Sequence, residues 1–186
     1  MMTERERLIV ARILKVNHAG EHGAIRIYAA HAFVAKIFMP DIVPKLIELR
    51  ANEIEHETLF LNAMPDRSAR PCRLLFLWSW GGTLLGGLTT LLGRRLEWIC
   101  TEAVESAVHH HLVDQLKFLQ DRDPELHAQI ASIQIEELSH LHYAQENRGD
   151  VSGFSKFMLA IVSFITDALI AMSTSGDSIW LRRQLS

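Results

Sequence analysis

Residues 49–60 read LRANEIEHETLF, and residues 133–144 read IQIEELSHLHYA. Both segments carry the pattern Glu-x-x-His, as Glu53-x-x-His56 and as Glu137-x-x-His140. Residues three apart lie on the same face of an α-helix, so each segment predicts a helix with a carboxylate and an imidazole side by side. The apolar stripe expected for the first helix includes this pair: Leu46, Leu49, Glu53, His56, Phe60 and Ala63.

A further glutamate precedes each motif by the same distance. Glu21 lies 32 residues before Glu53, and Glu105 lies 32 residues before Glu137. The unit Glu-x31-Glu-x-x-His therefore occurs twice and predicts an internal repeat over about residues 11–65 and 95–149.

This donor set predicts a dinuclear metal site. Four carboxylates buried together repel one another when ionised, and two divalent cations remove the repulsion. Oxygen donors with two imidazoles suit iron or manganese better than a thiolate-seeking metal. Ferritin-like di-iron and di-manganese bundles use the same set, a Glu from each of two helices and Glu-x-x-His from the other two. The expected ligands are Glu21, Glu53, His56, Glu105, Glu137 and His140.

The placement of prolines predicts an all-α chain. The five prolines leave four long proline-free blocks, and none shows the alternating β-branched pattern typical of strands. We expect a single ferritin-like four-helix bundle over residues 1–186, with additional apolar helices. The expected helices cover residues 4–38, 43–63, 74 to about 120, 124–147, 154–172 and 177–183.

Composition narrows the class of protein. The 186 residues are 48% hydrophobic and 22% charged, which excludes intrinsic disorder. The net charge of −3 gives no basic footprint for nucleic acid. Cys72 and Cys100 form no secreted disulfide framework, and residues 1–7 lack a signal-sequence pattern. A cytoplasmic protein is therefore the expectation.

Two segments are unusually apolar, residues 74–93 and residues 154–172. The first contains no charge and is flanked by Arg73 and by Arg94-Arg95, and its length alone would allow a transmembrane span. Its glycines and threonines favour instead an apolar helix pair that attaches to a membrane surface. A full span and plain core packing are the alternatives.

Several residues near the ligand set are candidates for supporting roles. Tyr28 and Asp114 are candidate proton or electron partners. Glu102 lies one turn before Glu105 and either supports the site or faces solvent. Of the three consecutive histidines at 109–111, at most one faces the site, because successive helical residues point in different directions.

The segments around the expected ligands resemble a known family. Residues 17–28 read NHAGEHGAIRIY, residues 100–105 read CTEAVE and residues 136–140 read EELSH. With Arg70-Pro71 and Leu91-Leu92-Gly93, they are similar to the demethoxyubiquinone hydroxylase family over about residues 11–183. The resemblance implies a carboxylate-bridged pair of iron ions that activates O₂ for a late ring hydroxylation, that of demethoxyubiquinol, in ubiquinone biosynthesis.

The resemblance also implies partners and a location. The substrates are a polyprenyl quinol and O₂, and NADH, a reductase or the quinol itself supplies electrons. Other proteins of ubiquinone biosynthesis are candidate partners, and nucleic acid is not one. The expected location is peripheral, on the cytoplasmic face of the inner cell membrane, or on the mitochondrial inner membrane for a processed eukaryotic form.

Three positions depart from the family's usual pattern. His22 and Leu112 stand where the family usually has tyrosine, and Arg182-Arg183 stands where it usually has Ser-Glu. The six expected ligands are unaffected. Two other functions remain open: a ferritin-like oxidase or peroxidase without quinone hydroxylation, and a non-catalytic quinone- or lipid-binding protein.

Overall fold

The computed structural model describes residues 2–150 and 152–185, and every regular element within these ranges is a helix. The all-α prediction is therefore confirmed. The helices are α1 (Glu4–Phe38), α2 (Val43–Ala63), α3 (Leu75–Leu91), α4 (Arg94–Leu119), α5 (Pro124–Asn147), α6 (Gly153–Ser173) and α7 (Asp177–Leu185). Short 3-10 turns at Pro40–Ile42 and Pro65–Arg67 join the first three.

One expected helix is wrong. The segment from 74 to about 120 is not continuous, because the chain breaks at Gly93 between α3 and α4. The φ angle of Gly93 is +106°, a conformation that residues with a Cβ rarely adopt. A glycine therefore ends the helix here without any proline.

Two of the apolar clusters in the core lie on either side of the buried ionisable residues. On α2, Leu49 belongs to one cluster and Phe60 to the other, while Glu53 and His56 lie between them. The α5 helix repeats this arrangement. The buried residues of α2 are the six that its sequence pattern predicts: Leu46, Leu49, Glu53, His56, Phe60 and Ala63.

The helices contact one another in the same order in both halves of the chain. In the first half α2 and α3 both pack on α1, and in the second half α5 and α6 both pack on α4. Contacts of α1 with α4 and of α2 with α5 join the halves. The apolar helices α3 and α6 are therefore equivalent third members of the two halves.

The helices α3 and α6 leave large apolar side chains exposed. Trp80 on α3 and Phe164 on α6 are each 74% exposed. The same two helices expose further large apolar residues, and together these form what we call the apolar face: Phe76, Leu77, Trp80, Leu84, Leu88, Leu91, Phe154, Phe157, Phe164, Ile165 and Met172. Among the described residues, α6 is the one helix that is long and apolar enough to cross a membrane, and 22% of its most apolar window is buried.

Glycines bring the backbones of α1 and α3 into direct contact. A Cβ atom at Gly82 would lie 2.6 Å from the carbonyl oxygen of Gly23, and a Cβ atom at Gly86 would lie 2.5 Å from the carbonyl oxygen of Ile27. Both distances are shorter than van der Waals contact allows. Because the atoms in the way belong to a helix backbone, they cannot rotate aside.

We expect Gly86→Ala to lower the free energy of unfolding by about 2 kcal/mol or more, because the added methyl group forces α3 away from α1. Gly87→Ala is the matched control, since no atom lies within 4 Å of a Cβ at that position. The control variant should be as stable as the wild type or slightly more stable, because alanine favours helix. Thermal unfolding measures both variants, and equal melting temperatures would contradict the proposed close contact.

Candidate metal centre and cavity

The structure brings the six expected ligand residues together in the middle of the bundle. Each is at most 5% exposed: Glu21, Glu53, His56, Glu105, Glu137 and His140. Ligand atoms of Glu21, Glu53, His56 and Glu137 all lie within 4.8 Å of one another. The same holds for Glu53, Glu105, Glu137 and His140. The arrangement thus contains two adjacent groups that share Glu53 and Glu137.

Each histidine directs one ring nitrogen at the carboxylates of the opposite helix. His56 Nδ1 lies 3.0 Å from Glu137 Oε1, and His140 Nδ1 lies 3.2 Å from Glu53 Oε1. These contacts cross between α2 and α5. The Nδ1 atoms are therefore the nitrogens that face the interior of the cluster.

The outer nitrogens of the two rings contact residues that the sequence analysis missed. Glu136 Oε2 lies 3.2 Å from His56 Nε2, and Asn52 Nδ2 lies 3.1 Å from His140 Nε2. Asn52 and Glu136 each immediately precede the glutamate of a Glu-x-x-His motif. Because both residues occupy the same position of the repeated motif, the sequence alone could have indicated that they have equivalent roles. Partners of this kind fix the orientation of a metal-binding imidazole.

Of the candidate supporting residues, some contact the cluster or the cavity beside it and others do not. The hydroxyl of Tyr28 donates to Glu105 Oε1, so Tyr28 contacts an expected ligand directly. Glu102 does not join the cluster, because its Oε2 lies 2.6 Å from Arg148 Nε. Of the three consecutive histidines, His111 alone lines the cavity described below.

Burial and mutual contacts shift the pKa values of the clustered residues in opposite directions. Burial, together with the charges of Glu137 and Glu53, raises the pKa of Glu21 and that of Glu105 well above the ordinary value. Burial alone would lower the pKa of His56 and of His140, but contacts with Glu137 and Glu53 raise both to about 10. Burial alone would raise the pKa of Glu137, but the nearby imidazoles of His140 and His56 hold it below its ordinary range.

The cluster leaves polar atoms without hydrogen bonds. Both carboxylate oxygens of Glu53 and the Nδ1 atom of His140 are buried and form no bond of acceptable geometry. Unsatisfied buried groups of this kind destabilise a fold unless an ion or another partner completes them. Carboxylate oxygens with imidazole nitrogens are donors that iron and manganese accept. The residues present therefore fit a divalent metal.

A cavity of about 330 Å³ extends from this cluster towards the protein surface. At its inner end it is lined by the four clustered glutamates, Glu21, Glu53, Glu105 and Glu137. Towards the surface its walls are apolar residues of α3 and α6. They include Leu84 and Leu88 of α3 and Ile165 of α6, which are 63%, 51% and 45% exposed. The cavity therefore opens between the two helices of the apolar face.

The fold and this site together define a class of protein. A helical bundle with buried Glu and Glu-x-x-His donors on facing helices is the arrangement of the ferritin-like carboxylate proteins. Such a cluster allows a metal site.

The family follows from comparison with known proteins. Residues 8–173 match the family described as ubiquinone biosynthesis protein COQ7, and the chain belongs to that family. This match confirms the resemblance drawn from the sequence motifs.

Curated relatives carry consistent names. The NADPH-dependent 3-demethoxyubiquinone 3-hydroxylase, mitochondrial, of Dictyostelium discoideum is 32% identical over 177 residues, which cover 92% of this chain and 81% of that protein. The human protein of the same name is 36% identical over 72% of this chain and 63% of its own length. The 3-demethoxyubiquinol 3-hydroxylase of Rhodospirillum rubrum is 39% identical over 71% of this chain and 62% of its own length. The last two alignments thus span less than two thirds of those relatives.

Proposed function

We propose that this protein is a monooxygenase that hydroxylates the ring of demethoxyubiquinol in ubiquinone biosynthesis. The observation that carries the proposal is the cavity, which joins a buried carboxylate cluster to an exposed apolar face. A polyprenyl quinol needs both features, a reactive site for its ring and an apolar path for its tail. The names of the relatives support the same reaction.

The proposed reaction requires O₂ and a source of electrons in addition to the quinol. One atom of O₂ enters the ring and the other leaves as water, which consumes two electrons and two protons. An electron donor is therefore required. The names of the Dictyostelium and human relatives specify NADPH. We infer that a nicotinamide cofactor or a reductase supplies the electrons here.

We propose two iron ions as the cofactor. Glu21 and His56 would serve one ion, Glu105 and His140 would serve the other, and Glu53 and Glu137 would serve both, as the two overlapping groups suggest. When bound, ferrous iron supplies the redox chemistry that activates O₂.

The chain's own side chains prepare this site in three ways. Tyr28 holds Glu105 through its hydroxyl, and Glu136 and Asn52 hold the two imidazole rings through their outer nitrogens. The apolar walls from α3 and α6 exclude bulk water from the inner end of the cavity. The opening between those helices lets a lipid-soluble quinol reach the carboxylates directly.

We propose that the apolar face attaches the protein to a membrane surface. Trp80 and Phe164 are 74% exposed and have no covering element among the described residues. Arg73 and Arg94-Arg95 flank the first apolar segment and suit anionic headgroups. The eukaryotic relatives are named as mitochondrial, and a peripheral location on an inner membrane accommodates both these relatives and a bacterial form.

The metal assignment predicts that replacing different glutamates removes different amounts of bound iron. The wild type should bind about two ferrous ions per chain. Glu53→Ala should remove most of the bound iron because both groups use Glu53, whereas Glu21→Ala should leave about one ion because only one group uses Glu21. Equilibrium dialysis without air, followed by iron analysis, measures the stoichiometry. Glu55→Ala is the control, since Glu55 is an exposed neighbour on the same helix. Equal binding by all three variants would contradict the assignment.

The membrane assignment predicts that Trp80→Asp combined with Phe164→Asp lowers the partition coefficient for vesicles by at least about tenfold, since each buried aromatic ring contributes roughly 1.5–3 kcal/mol. Flotation with phosphatidylcholine vesicles containing phosphatidylglycerol measures the binding. Ile135→Asp is the control, because Ile135 is 72% exposed but lies on α5. Complete recovery of the wild type in the vesicle-free fraction would refute membrane attachment.

The reaction itself is tested by labelled oxygen. The iron-loaded protein receives a short-chain demethoxyubiquinol without air, then ¹⁸O₂, and mass spectrometry analyses the quinone. We expect one labelled oxygen on the ring, and no product from Glu137→Ala. Oxygen consumption without a labelled ring would instead indicate a ferritin-like oxidase.

A further inference from the structure

Asn17 and Gln115 form a reciprocal amide pair inside the cavity. Asn17 Nδ2 donates to Gln115 Oε1 at 2.8 Å, and Gln115 Nε2 donates to Asn17 Oδ1 at 2.8 Å. Both side chains are buried, and both line the cavity. Asn17 lies one helical turn before Glu21 on α1, so the pair is about 6 Å along the helix from the carboxylate cluster.

The amide pair retains unused hydrogen-bonding capacity. A side-chain amide has two N–H donors and an oxygen that accepts two bonds. The reciprocal contact uses one donor and one acceptor site of each residue. Each amide therefore keeps one donor and one acceptor site for a molecule in the cavity.

The other polar residues that line the cavity are already engaged. The hydroxyl of Thr166 donates to the carbonyl oxygen of Val162. His111 Nε2 lies 3.0 Å from Asp167 Oδ1, and the four glutamates belong to the candidate metal centre. Glycines and apolar side chains form the rest of the lining. Thr166 has used its one donor, so the amide pair is the group in the lining whose two members each keep both a donor and an acceptor next to the reactive end.

We propose that the Asn17–Gln115 pair binds the ring oxygens of the quinol and fixes which ring carbon faces the metal centre. This inference rests on the proposed function. A quinol ring carries hydroxyl groups, which donate and accept, and a methoxy oxygen, which accepts. The spare donors and acceptors of two neutral amides match both kinds of oxygen. Pockets that bind a largely apolar ligand use a few such polar groups to set its orientation.

A purely structural role makes a different prediction. In that role the pair only ties α1 to α4, so replacing both amides with apolar residues of similar size should restore what a single replacement loses. Removing both partners leaves no buried amide unpaired and costs little stability. The double variant Asn17→Leu with Gln115→Met therefore separates ligand recognition from helix packing.

The test measures binding by the iron-loaded, full-length protein without air. Two probes are compared: a short-chain demethoxyubiquinone kept in its reduced, quinol form and an alkylbenzene with the same isoprenoid tail but no ring oxygens. Quenching of tryptophan fluorescence reports binding, because Trp78 lines the cavity. Gln120→Met is the control variant, since it makes the same kind of replacement at an exposed residue that does not line the cavity.

We expect the double variant to bind the quinone about tenfold more weakly and the alkylbenzene within about twofold of the wild type. Gln120→Met should leave the affinity for both probes within about twofold. If the double variant does not fold, Gln115→Asn replaces it. That change withdraws the amide by one methylene, and we expect about a threefold loss for the quinone alone.

Two results would overturn the inference. If the wild type prefers the quinone and the variants keep that preference, the amide pair does not recognise the ring, and the proposed function stands. If the wild type binds the quinone no more tightly than the alkylbenzene, the inference and the proposed substrate both fail.

Discussion

Glu21, Glu53, Glu105 and Glu137 are buried together in one small space at the centre of the bundle. Unpaired, these groups would repel one another and drive the bundle apart. Burial and the neighbouring charges raise the pKa values of Glu21 and Glu105 and so disfavour their ionised forms, and the His56 imidazole lies 3.0 Å from Glu137. Apolar clusters on both sides of this layer hold the four helices in register. The same electrostatic demand fits a metal site, in which divalent cations would take the place of the protons and satisfy the buried oxygens of Glu53.

Part of this arrangement could be predicted from the sequence, because it depends on spacing along single helices. The buried face of α2 follows from helical periodicity alone, and the repeated Glu-x-x-His unit with its preceding glutamates indicated that the two motifs meet in a bundle. The break at Gly93 could not be predicted, because a glycine with positive φ does not differ in sequence from helical glycines such as Gly87. The pairing of Asn17 with Gln115 joins residues 98 apart and depends on how α1 meets α4.

The two halves of the chain are alike at the metal centre and differ around it. Each half supplies two carboxylates and one imidazole, and each adds an apolar helix on the outside. The residue behind each imidazole is neutral in one half, at Asn52, and acidic in the other, at Glu136. Both halves line the cavity, with Asn17 and Glu21 from the first half and Glu105 and Gln115 from the second, and its apolar walls come from α3 and α6. The differences between the halves therefore lie outside the shared carboxylate and imidazole layer.

The glycine contact between α1 and α3 bears on how α3 would stay attached to the bundle at a membrane surface. Burial of apolar side chains stabilises a contact in water, but this driving force disappears where acyl chains are the solvent. Close approach of two backbones does not depend on water, because it rests on dispersion between atoms that small residues allow to meet. The contacts at Gly23, Gly82 and Gly86 are of this second kind. On the proposed membrane surface, the outer side of α3 would contact lipid while its inner side stayed fixed to the bundle by these backbone contacts.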